Sequence, residues 1–485
     1  MVEQAGPPPV GAVLILAAGA GTRMKSSRSK LLHQVGGRSL LSHAVTAADV
    51  LTPQHLVVVV GHQREQIEEH LGEIAPQAVT AVQESQRGTG DAVRSGLTAL
   101  DAVPGEVVVT YGDVPLLTGE TLQELVDQHR AHGDGVTVLT TVADDPTGSG
   151  RIVRDADGDQ IAAIVEQRDC TPDQATITEI NAGLYVFDGA VLAEGLASLT
   201  TDNDQGELLL TDVIGYARRL GRGARSRLLA DRWQAEGVND RVQLATLNRV
   251  HNDRLVQKWQ LAGVTVQDPA TTWIHDTVDL APDVTLLPGT SLEGATSVGA
   301  GATIGPDTTL VDVEVGAGAS VVRTQASLAL IGPGATVGPF SFLRPGTQVG
   351  AGGKVGAFVE VKNGQIGDGA KVPHLSYVGD ARIGAGANIG AGTIVANYDG
   401  VTKSVTVVGE NSFVGSNSVL VAPVTVADGS YVAAGSAVTE DVEPGQLGIA
   451  RARQRNIPGW VQNRRGDTRT WQSAQDAIQA KGTTE

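Results

Sequence analysis

The chain has 485 residues, enough for two or three domains that each bury a core of their own. Its formal charge of −18 excludes a general nucleic-acid binder and a protein that binds anionic membranes, so local groups of cations must hold any anionic substrate. The single cysteine, Cys170, excludes an intramolecular disulfide and a cysteine-based zinc site. The N-terminal segment lacks a basic signal region, and the next apolar run is too short for a bilayer. We therefore expect a cytoplasmic protein without membrane insertion.

Residues 11 to about 240 alternate between strand-like and helix-like segments. The strand-like runs are short, apolar and β-branched, and they cover residues 11–18, 56–61, 106–112 and 136–142. Segments with helical spacing lie between them, at residues 40–50, 63–71, 91–100 and 120–132. This alternation predicts an α/β domain with a mostly parallel, doubly wound sheet. Such a sheet binds its ligand at the carboxyl ends of the strands.

A glycine-rich turn, Leu16 to Met24 (LAAGAGTRM), follows the first strand. Glycine at such a turn lets backbone N–H groups approach a phosphate, with Arg23 and Lys30 as nearby cations. The turn is neither a Walker A sequence nor a complete dinucleotide fingerprint, so it favours neither an ATPase nor a dehydrogenase. By itself it fits equally well an ordinary tight turn with solvated cations.

Seven further motifs follow in order across residues 11–241: KLLH at 30–33, GTG at 88–90, GDVPL at 112–116, GRI at 150–152, VEQ at 165–167, NAG at 181–183 and GVN at 237–239. Together with the glycine-rich turn they resemble the sugar-nucleotide pyrophosphorylase (nucleotidyltransferase) family. The resemblance implies binding of UTP and a UDP-sugar by Leu16, Ala17, Ala18, Gly19, Lys30, Gln83, Gly88, Thr89, Tyr111, Gly112, Asp113, Gly150, Glu166, Asn181 and Asn239. The resemblance also implies that Gln83 would read the base edge, that Arg23 and Lys30 would be catalytic, and that Asp113 and Asn239 would hold Mg²⁺.

Three residues depart from the family pattern: Arg87 stands in place of leucine, Asp91 in place of histidine, and Ser149 in place of an aromatic residue. They flank the implied uridine and sugar contacts without replacing them. Their effect on uridine and sugar selectivity is open at the level of sequence.

A six-residue repeat dominates the second half of the chain. Aliphatic residues recur at every sixth position from Ile331 to Val361, and the repeat extends from Val298 to Val438 with phase slips near Gly364 and in residues 397–404. This period predicts a parallel β-helix in which each hexapeptide forms one side of a coil. A charged helical segment precedes it. We therefore predict an N-terminal domain at residues 1–241, a helical linker at 242–262, and a β-helix domain with a C-terminal tail at 263–485, whose last few residues we expect to be disordered.

Functional residues of the β-helix are expected where the repeat fails, because the regular positions serve packing. Arg344 and Lys362 replace glycine, and His374 is the only histidine between His275 and the C-terminus. Zinc β-helix enzymes of the carbonic-anhydrase type need three histidines, which argues against metal chemistry here. A histidine beside cations fits a general base for an amine that attacks a thioester, although an isolated histidine is more often a packed surface residue.

Motifs around Arg344, Glu360, His374, Asn388, Asn397 and Ser416 complete a resemblance that covers nearly the full chain. It is to the bacterial family of bifunctional enzymes that join N-acetylglucosamine-1-phosphate uridyltransferase to glucosamine-1-phosphate N-acetyltransferase. The resemblance implies a left-handed β-helix and His374 as catalytic base, oriented by Glu360. Glucosamine-1-phosphate would be bound by Arg344, Lys362, Tyr377 and Asn388. Acetyl-CoA would be bound by Ala391, Asn397, Tyr398, Ser416, Ala434 and Arg451.

The implied function is synthesis of UDP-N-acetylglucosamine for cell-wall peptidoglycan. Acetyl transfer to glucosamine-1-phosphate would come first, and Mg²⁺-dependent transfer of UMP from UTP to N-acetylglucosamine-1-phosphate second. Two alternatives remain: a pyrophosphorylase with a structural or regulatory β-helix, and a non-catalytic β-helix scaffold. We expect a homotrimer, because related β-helix acetyltransferases place their sites between subunits.

Overall fold

The computed structural model describes residues 9–482. The chain divides into two compact units, Met1–Val313 and Glu314–Glu485. The boundary lies inside the hexapeptide repeats, whereas the sequence places a domain boundary at residue 263. The predicted disorder of the last residues concerns positions 483–485, which lie outside the described range. No helix within residues 9–482 combines the length and apolar character that crossing a membrane requires.

The first unit begins with an α/β layer structure. Its strands are β1 (Ala12–Leu16), β2 (Gln34–Val35), β3 (Arg38–Ser39), β4 (His55–Val60), β5 (Val79–Val82), β6 (Glu106–Tyr111), β7 (Val136–Val142), β8 (Arg151–Arg154), β9 (Ile161–Val165), β10 (Glu179–Asp188) and β11 (Ala224–Leu228). Its helices are α1 (Leu40–Asp49), α2 (Arg64–Ile74), α3 (Thr89–Leu97), α4 (Gly119–His132), α5 (Pro172–Ala175), α6 (Gly189–Ala197), α7 (Val213–Arg219) and α8 (Arg241–Leu261). Short 3₁₀ turns cover Thr22–Met24, Lys30–Leu32, Leu210–Asp212, Arg232–Ala235 and Pro269–Thr271.

The main sheet has the order β11-β7-β10-β6-β1-β4-β5, with the β8–β9 hairpin attached to β10. Strands β1, β4, β5 and β6 are parallel, and β10 runs antiparallel to β6 and β7. The two faces of the sheet carry separate cores, one against α1, α2 and α4, the other against α3, α6 and α7. The predicted α/β class is confirmed. The antiparallel strand β10 and the β8–β9 hairpin were not anticipated, because their short apolar stretches have no distinctive periodicity.

Parallel coils follow α8 in the first unit. Their strands are β12 (Thr265–Val266), β13 (Trp273–Ile274), β14 (Asp279–Leu280), β15 (Thr285–Leu286), β16 (Thr290–Glu293), β17 (Ser297–Val298), β18 (Thr303–Ile304) and β19 (Thr308–Val315), in which the boundary between the units falls. Leu286 pairs with Ile304 and Leu292 with Leu310, so each coil takes 18 residues, which is three hexapeptides.

The second unit continues the same pattern. Its strands are β20 (Ser320–Val321), β21 (Thr324–Ile331), β22 (Thr336–Val337), β23 (Ser341–Leu343), β24 (Gln348–Val349), β25 (Lys354–Ala357), β26 (Glu360–Lys362), β27 (Gln365–Ile366), β28 (Lys371–His374), β29 (Tyr377–Gly379), β30 (Ala381–Ile383), β31 (Asn388–Ile389), β32 (Ile394–Ala396), β33 (Thr406–Val408), β34 (Phe413–Val414), β35 (Val419–Val421), β36 (Val424–Val426), β37 (Tyr431–Val432), β38 (Ala437–Val438) and β39 (Leu447–Gly448). Two helices end it, α9 (Trp460–Arg465) and α10 (Arg469–Gly482).

The hexapeptide aliphatics form the interior of these coils. Leu343, Val361 and Val378 stack on successive coils and are each fully buried. The step from Leu343 to Val361 is 18 residues and the next is 17, which is the predicted phase slip near Gly364. At residues 397–404 a loop leaves the coil, closed by an isolated bridge between Tyr398 and Lys403. The predicted parallel β-helix is confirmed.

Candidate functional site

A cavity of 350 Å³ opens in the α/β part of the first unit, beside the carboxyl ends of β1 and β6. The carboxyl edge of a parallel sheet is where such folds bind ligands. Ten of the implied UTP-site residues line the cavity: Leu16, Ala17, Ala18, Gly19, Lys30, Gln83, Gly88, Thr89, Tyr111 and Asp113.

Gly88 shapes one wall of the cavity at the start of α3. Its φ is +109°, a left-handed value that favours glycine, and an added Cβ would lie 2.5 Å from the carbonyl oxygen of Leu208. The N–H of Leu210 in turn donates to the Thr89 hydroxyl at 3.1 Å. This glycine therefore lets α3 begin directly against the loop that carries Leu208. The contact with this loop places Thr89 in the cavity wall.

Lys30 joins the two residues expected to hold a metal. Its Nζ lies 2.5 Å from Asp113 Oδ2 and 3.4 Å from Asn239 Oδ1, and Lys30 and Asp113 are mostly buried. Two hard oxygens thus converge on one cation. Near them, a Cβ on Gly237 would lie 3.6 Å from Asp113 Oδ1, in ordinary van der Waals contact, so the glycine leaves the space of one methyl group beside the carboxylate. A carboxylate and an amide oxygen, completed by water and substrate phosphates, are a donor set that suits Mg²⁺.

Gln83 is held by a buried carboxylate. Its Nε2 donates to the carbonyl oxygen of Gly88 at 3.2 Å and to Asp91 Oδ2 at 3.1 Å. Asp91 Oδ1 accepts from Arg87 at 3.1 Å and from Arg94 at 2.5 Å. Burial alone would raise the pKa of Asp91, but the bonds from Gln83 and Arg94 and the nearby guanidinium charges hold the pKa below its usual range. The carboxylate is therefore ionised.

The residues expected to bind the sugar lie near one another. A Cβ on Gly150 would be 3.3 Å from Glu166 Oε1, and the N–H of Asn181 donates to the Gly150 carbonyl at 2.9 Å. Burial, reinforced by Asp169, Asp212 and Glu207, raises the pKa of Glu166. The side-chain amide of Asn181 is engaged within the protein, because Nδ2 donates to Tyr185 Oη at 2.6 Å and Oδ1 accepts from Gly183.

Some implied residues lie outside the lining of the cavity. Arg23 is exposed in the 3₁₀ turn Thr22–Met24. Gly112, Gly150, Glu166, Asn181 and Asn239 are also absent from the cavity lining. Conversely, the lining contains four residues to which the resemblance assigned no contact with the nucleotide, Leu31, Gln86, Ala92 and Glu207. Gln86 donates to the carbonyl oxygen of Ala18 at 2.6 Å and so braces the glycine-rich turn. The only sequence signal for Gln86 was its position between Gln83 and Gly88, two residues that the resemblance implies for uridine.

A second set of implied residues meets in the β-helix of the second unit, around Asp380. Lys362 Nζ donates to Asp380 Oδ2 at 3.1 Å, and Asn397 Nδ2 donates to the same oxygen at 2.5 Å. Tyr377 is close by, because a Cβ on Gly379 would lie within 3 Å of both the Tyr377 hydroxyl and Asn397 Nδ2. Bonds from Asn363, Asn397 and Lys362 outweigh the effect of burial and lower the pKa of Asp380. The carboxylate thus links a residue implied for the sugar phosphate to one implied for acetyl-CoA.

Arg344 lies one coil before Lys362. Its backbone N–H donates to the carbonyl oxygen of Val361, and its Nη1 donates to Glu360 Oε1 at 3.0 Å. Among the described residues of this chain no hydrogen bond joins Glu360 to the His374 ring, although the resemblance implies that Glu360 orients His374. The two cations therefore stack on adjacent coils, each with one carboxylate.

His374 is exposed and heads a ladder along one corner of the β-helix. Gly392 N donates to the His374 carbonyl oxygen at 3.2 Å, Asn417 N to that of Ala391 at 2.8 Å, and Gly435 N to that of Ser416 at 2.9 Å. Ala391, Ser416 and Ala434 therefore occupy equivalent corners of three successive coils. Arg451 reaches the end of the ladder, with its Cδ 3.8 Å from the position of a Cβ on Gly435. Asn388 lies on the strand just before this corner.

Two other features do not coincide with these residues. A larger groove of 660 Å³ runs over the second unit, but it contains none of the implied site residues and its walls are mainly aliphatic side chains and glycines.

His43, His251 and Asp276 form a compact cluster in the first unit. His43 Nε2 is 2.9 Å from the carbonyl oxygen of Val35 and must carry the proton of that bond, so it has no lone pair for a metal. Neither feature changes the assignment of the sites.

Family models match both halves of the chain. Residues 13–209 match the MobA-like NTP transferase domain, and residues 405–440 match the hexapeptide repeat of succinyl-transferase. A solved structure of a putative glucose-1-phosphate thymidylyltransferase from Bacillus anthracis covers 50% of this chain and 95% of its own, at 21% identity and a TM-score of 0.41.

Curated relatives match over nearly the full length. The "Bifunctional protein GlmU" of Pseudarthrobacter chlorophenolicus is 53% identical over 485 residues, which is 99% of this chain and 98% of the relative. The protein of the same name from Streptomyces avermitilis is 54% identical over 94% of both chains. That of Corynebacterium aurimucosum is 50% identical over 97% of both. These matches span both the α/β half and the β-helix half of this chain.

Proposed function

Because the chain belongs to the family of bifunctional GlmU proteins, it is a nucleotidyltransferase and an acetyltransferase in one polypeptide, and we propose how its residues divide the two reactions. It acts on sugar phosphate, nucleotide and acyl-CoA substrates. In our proposal the β-helix transfers the acetyl group of acetyl-CoA to the amine of glucosamine-1-phosphate. The α/β domain then joins N-acetylglucosamine-1-phosphate to UTP, giving UDP-N-acetylglucosamine and pyrophosphate for peptidoglycan synthesis. The domains in this proposal are residues 1–241 and 263–485.

The observation that carries the uridyltransferase assignment is the convergence of Lys30, Asp113 and Asn239 beside the cavity. A phosphate oxygen of the sugar attacks the α-phosphorus of UTP while the bond to pyrophosphate breaks. Lys30 faces the negative charge that builds up on the phosphate oxygens, and Arg23, exposed in its 3₁₀ turn, is the second cation that we assign to the triphosphate.

The family uses a divalent metal, and the proposed one is Mg²⁺, held by Asp113 and Asn239. When bound, it would neutralise and orient the phosphates. The chain's own residues hold the remainder of the nucleotide: the turn Leu16–Gly19 offers backbone N–H groups, and Gln83 with Gly88 and Thr89 contacts uridine. Gly150, Glu166 and Asn181 take the sugar.

The acetyltransferase assignment rests on His374 at the head of the ladder of Ala391, Ser416 and Ala434. Asn397, Tyr398 and Arg451 complete the groups for acetyl-CoA. Arg344, Lys362, Tyr377 and Asn388 take glucosamine-1-phosphate, with both cations on its phosphate. His374 accepts a proton from the amine as the nitrogen attacks the thioester carbonyl, and CoA leaves as the thiol.

Two half-reaction assays on the purified full chain test this division. Asp113→Ala should abolish uridylyl transfer and leave acetyl transfer near the parent rate, whereas His374→Ala should do the reverse. His62→Ala, at an exposed histidine outside both sites, is the matched control for loss of an imidazole. Acetyl transfer at the parent rate in His374→Ala would refute His374 as the base. Loss of both activities in either variant would refute separate sites.

Assembly and location complete the proposal: a homotrimer in the cytoplasm. The second unit exposes a stacked pair of phenylalanines, Phe340 and Phe358, with ring centroids 5.2 Å apart and more than half of each residue open to solvent. Such an apolar surface suits burial between copies of the chain. Light scattering on the eluted protein gives the molar mass directly, and a value of one chain at micromolar concentration would refute the trimer.

A further inference from the structure

The buried carboxylate of Asp91 accepts hydrogen bonds on both of its oxygens. Asp91 is 4% exposed and Gln83 is 6% exposed. Oδ1 faces two guanidinium groups, those of Arg87 and Arg94, and Oδ2 faces Gln83 Nε2. An ionised carboxylate can only accept hydrogen bonds, so both oxygens demand donors.

This arrangement fixes which way round the Gln83 amide lies. Its two N–H groups are both used, one on the Gly88 carbonyl oxygen and one on Asp91. Turning the amide over would place Oε1 against two acceptor oxygens, which is unfavourable on both sides. Among the contacts of the described chain Oε1 accepts no hydrogen bond, and Gln83 lines the cavity. The group that Gln83 offers to a ligand is therefore an acceptor.

We propose that Asp91 is a positioning residue that selects the nucleobase: it holds Gln83 with its carbonyl oxygen toward the nucleotide, so the site takes a base that presents an N–H donor there. This rests on the proposed function, in which Gln83 reads the base edge. Uracil and thymine carry an N–H at N3, whereas cytosine carries a lone pair at the same atom. Cytidine triphosphate would thus set acceptor against acceptor, and the discrimination between UTP and CTP would come from Asp91 acting through Gln83.

The obvious alternative is that Asp91 only stabilises the first turn of α3. Acidic residues are favourable there, and Arg94 follows at i+3. In that case its loss would lower stability and would change the rates with UTP and CTP together. The two explanations separate on the ratio of kcat/KM for UTP to that for CTP.

Asp91→Asn is the sharpest variant, because the arginines determine how the new amide lies. Its oxygen must stay toward Arg87 and Arg94, so its NH₂ faces Gln83 Nε2, donor against donor. Turning Gln83 over removes that conflict but sets its Oε1 against the Gly88 carbonyl oxygen, so the two orientations become comparable in energy, and one of them brings an N–H into the cavity. We expect the UTP/CTP ratio of kcat/KM to fall about ten- to a hundredfold.

Asp91→Ala removes the acceptor without introducing a donor, and the Gly88 carbonyl oxygen still favours the original orientation. The ratio should therefore fall less in Asp91→Ala than in Asp91→Asn. A merely structural role predicts an unchanged ratio in both variants and the larger loss of stability in Asp91→Ala, since alanine is the harsher change in a buried ion pair. Ser95→Ala, whose hydroxyl donates to the Asp91 backbone carbonyl at 3.0 Å, is the matched control and should leave the ratio unchanged.

Uridylyl transfer with UTP and with CTP is measured on the full chain for the parent, these three variants and Gln83→Ala, and thermal unfolding confirms that each is folded. A ratio that holds in both Asp91 variants but collapses in Gln83→Ala overturns the role of Asp91 and leaves base reading by Gln83 intact. A ratio that also holds in Gln83→Ala overturns base reading itself. If only Asp91→Ala folds, a ratio unchanged in it overturns the proposal.

Discussion

Lys30 Nζ and Asp113 Oδ2 lie 2.5 Å apart in a mostly buried ion pair at the carboxyl end of β6. The same ammonium group is 3.4 Å from Asn239 Oδ1, so it occupies the point where both proposed metal ligands converge. One positive charge thus compensates Asp113 in the ligand-free chain. Lys30 has two opposed effects in our proposal: it competes with the divalent ion, and it neutralises the phosphates.

Replacing Lys30 by methionine should separate these two effects. Without nucleotide, a divalent ion should bind more tightly, because no ammonium competes for Asp113. Uridylyl transfer should nevertheless fall about a hundredfold or more, because the charge that faced the phosphates is gone. Titration with Mn²⁺ followed by electron paramagnetic resonance gives the first quantity and a pyrophosphate-release assay the second. Weaker ion binding in Lys30→Met would contradict the competition, and Arg28→Met, at an exposed cation nearby, is the control.

Asp380 should couple the two substrates of acetyl transfer, since Lys362 and Asn397 share its Oδ2. In Asp380→Ala both partners lose their anchor, so we expect KM to rise about tenfold for glucosamine-1-phosphate and also for acetyl-CoA. Asn363→Ala is the matched control, because Asn363 contacts only Oδ1, at 2.9 Å. An increase confined to one substrate would show that the carboxylate serves one subsite alone.

The sequence predicted the architecture well, because periodicity is a property of the chain alone. The sixth-position aliphatics from Val298 to Val438 are buried, and the strand predicted at residues 136–142 coincides with β7. The helix predicted at 91–100 instead begins at Thr89 and ends at Leu97. Its start depends on the left-handed Gly88 and on contact with Leu208, which is a tertiary effect.

The contacts within the sites could not be predicted in the same way. Motifs pointed to Gln83 and Asp113 as separate residues, but the orientation of the Gln83 amide depends on Asp91, and the charge beside Asp113 depends on Lys30, 83 positions earlier. Asp380 was not singled out at all, since a small acidic residue at a coil corner gives no pattern. The departures Arg87 and Asp91, unexplained in sequence, form one ion-paired group in the structure.

Burial inside the coils predicts which substitutions destabilise the β-helix. Leu343 is fully buried, whereas the neighbouring Phe342 points outward and is 43% exposed. Leu343→Ala should cost about 2–5 kcal/mol through lost burial and a residual cavity. Phe342→Ala, the larger deletion on the opposite side of the same strand, should cost much less. Thermal and denaturant unfolding of both variants checks this, and equal losses would contradict the assignment of the two faces.

His43 should make the first unit sensitive to mild acid. Burial lowers its pKa from 6.5 to about 4, opposed by the hydrogen bond to Val35 and the charge of Asp276, while His251 and Arg38 add to the lowering. Well above pH 6.5 the histidine is neutral in both the folded and the unfolded chain, so its titration does not change the free energy of unfolding. As the pH falls from 6.5 towards 4, only the unfolded chain takes up the proton, so the free energy of unfolding should drop by up to about 3 kcal/mol and then level off for this group. Asp276 stays ionised across that window, because its hydrogen bond and charge interaction with His251 outweigh burial and lower its pKa.

His43→Gln, which keeps a donor for the Val35 carbonyl, should flatten the dependence of denaturant stability on pH between 6.5 and 4. His62→Gln, at an exposed histidine, should leave that slope as in the parent, and equal slopes in all three proteins would show that His43 is not its source.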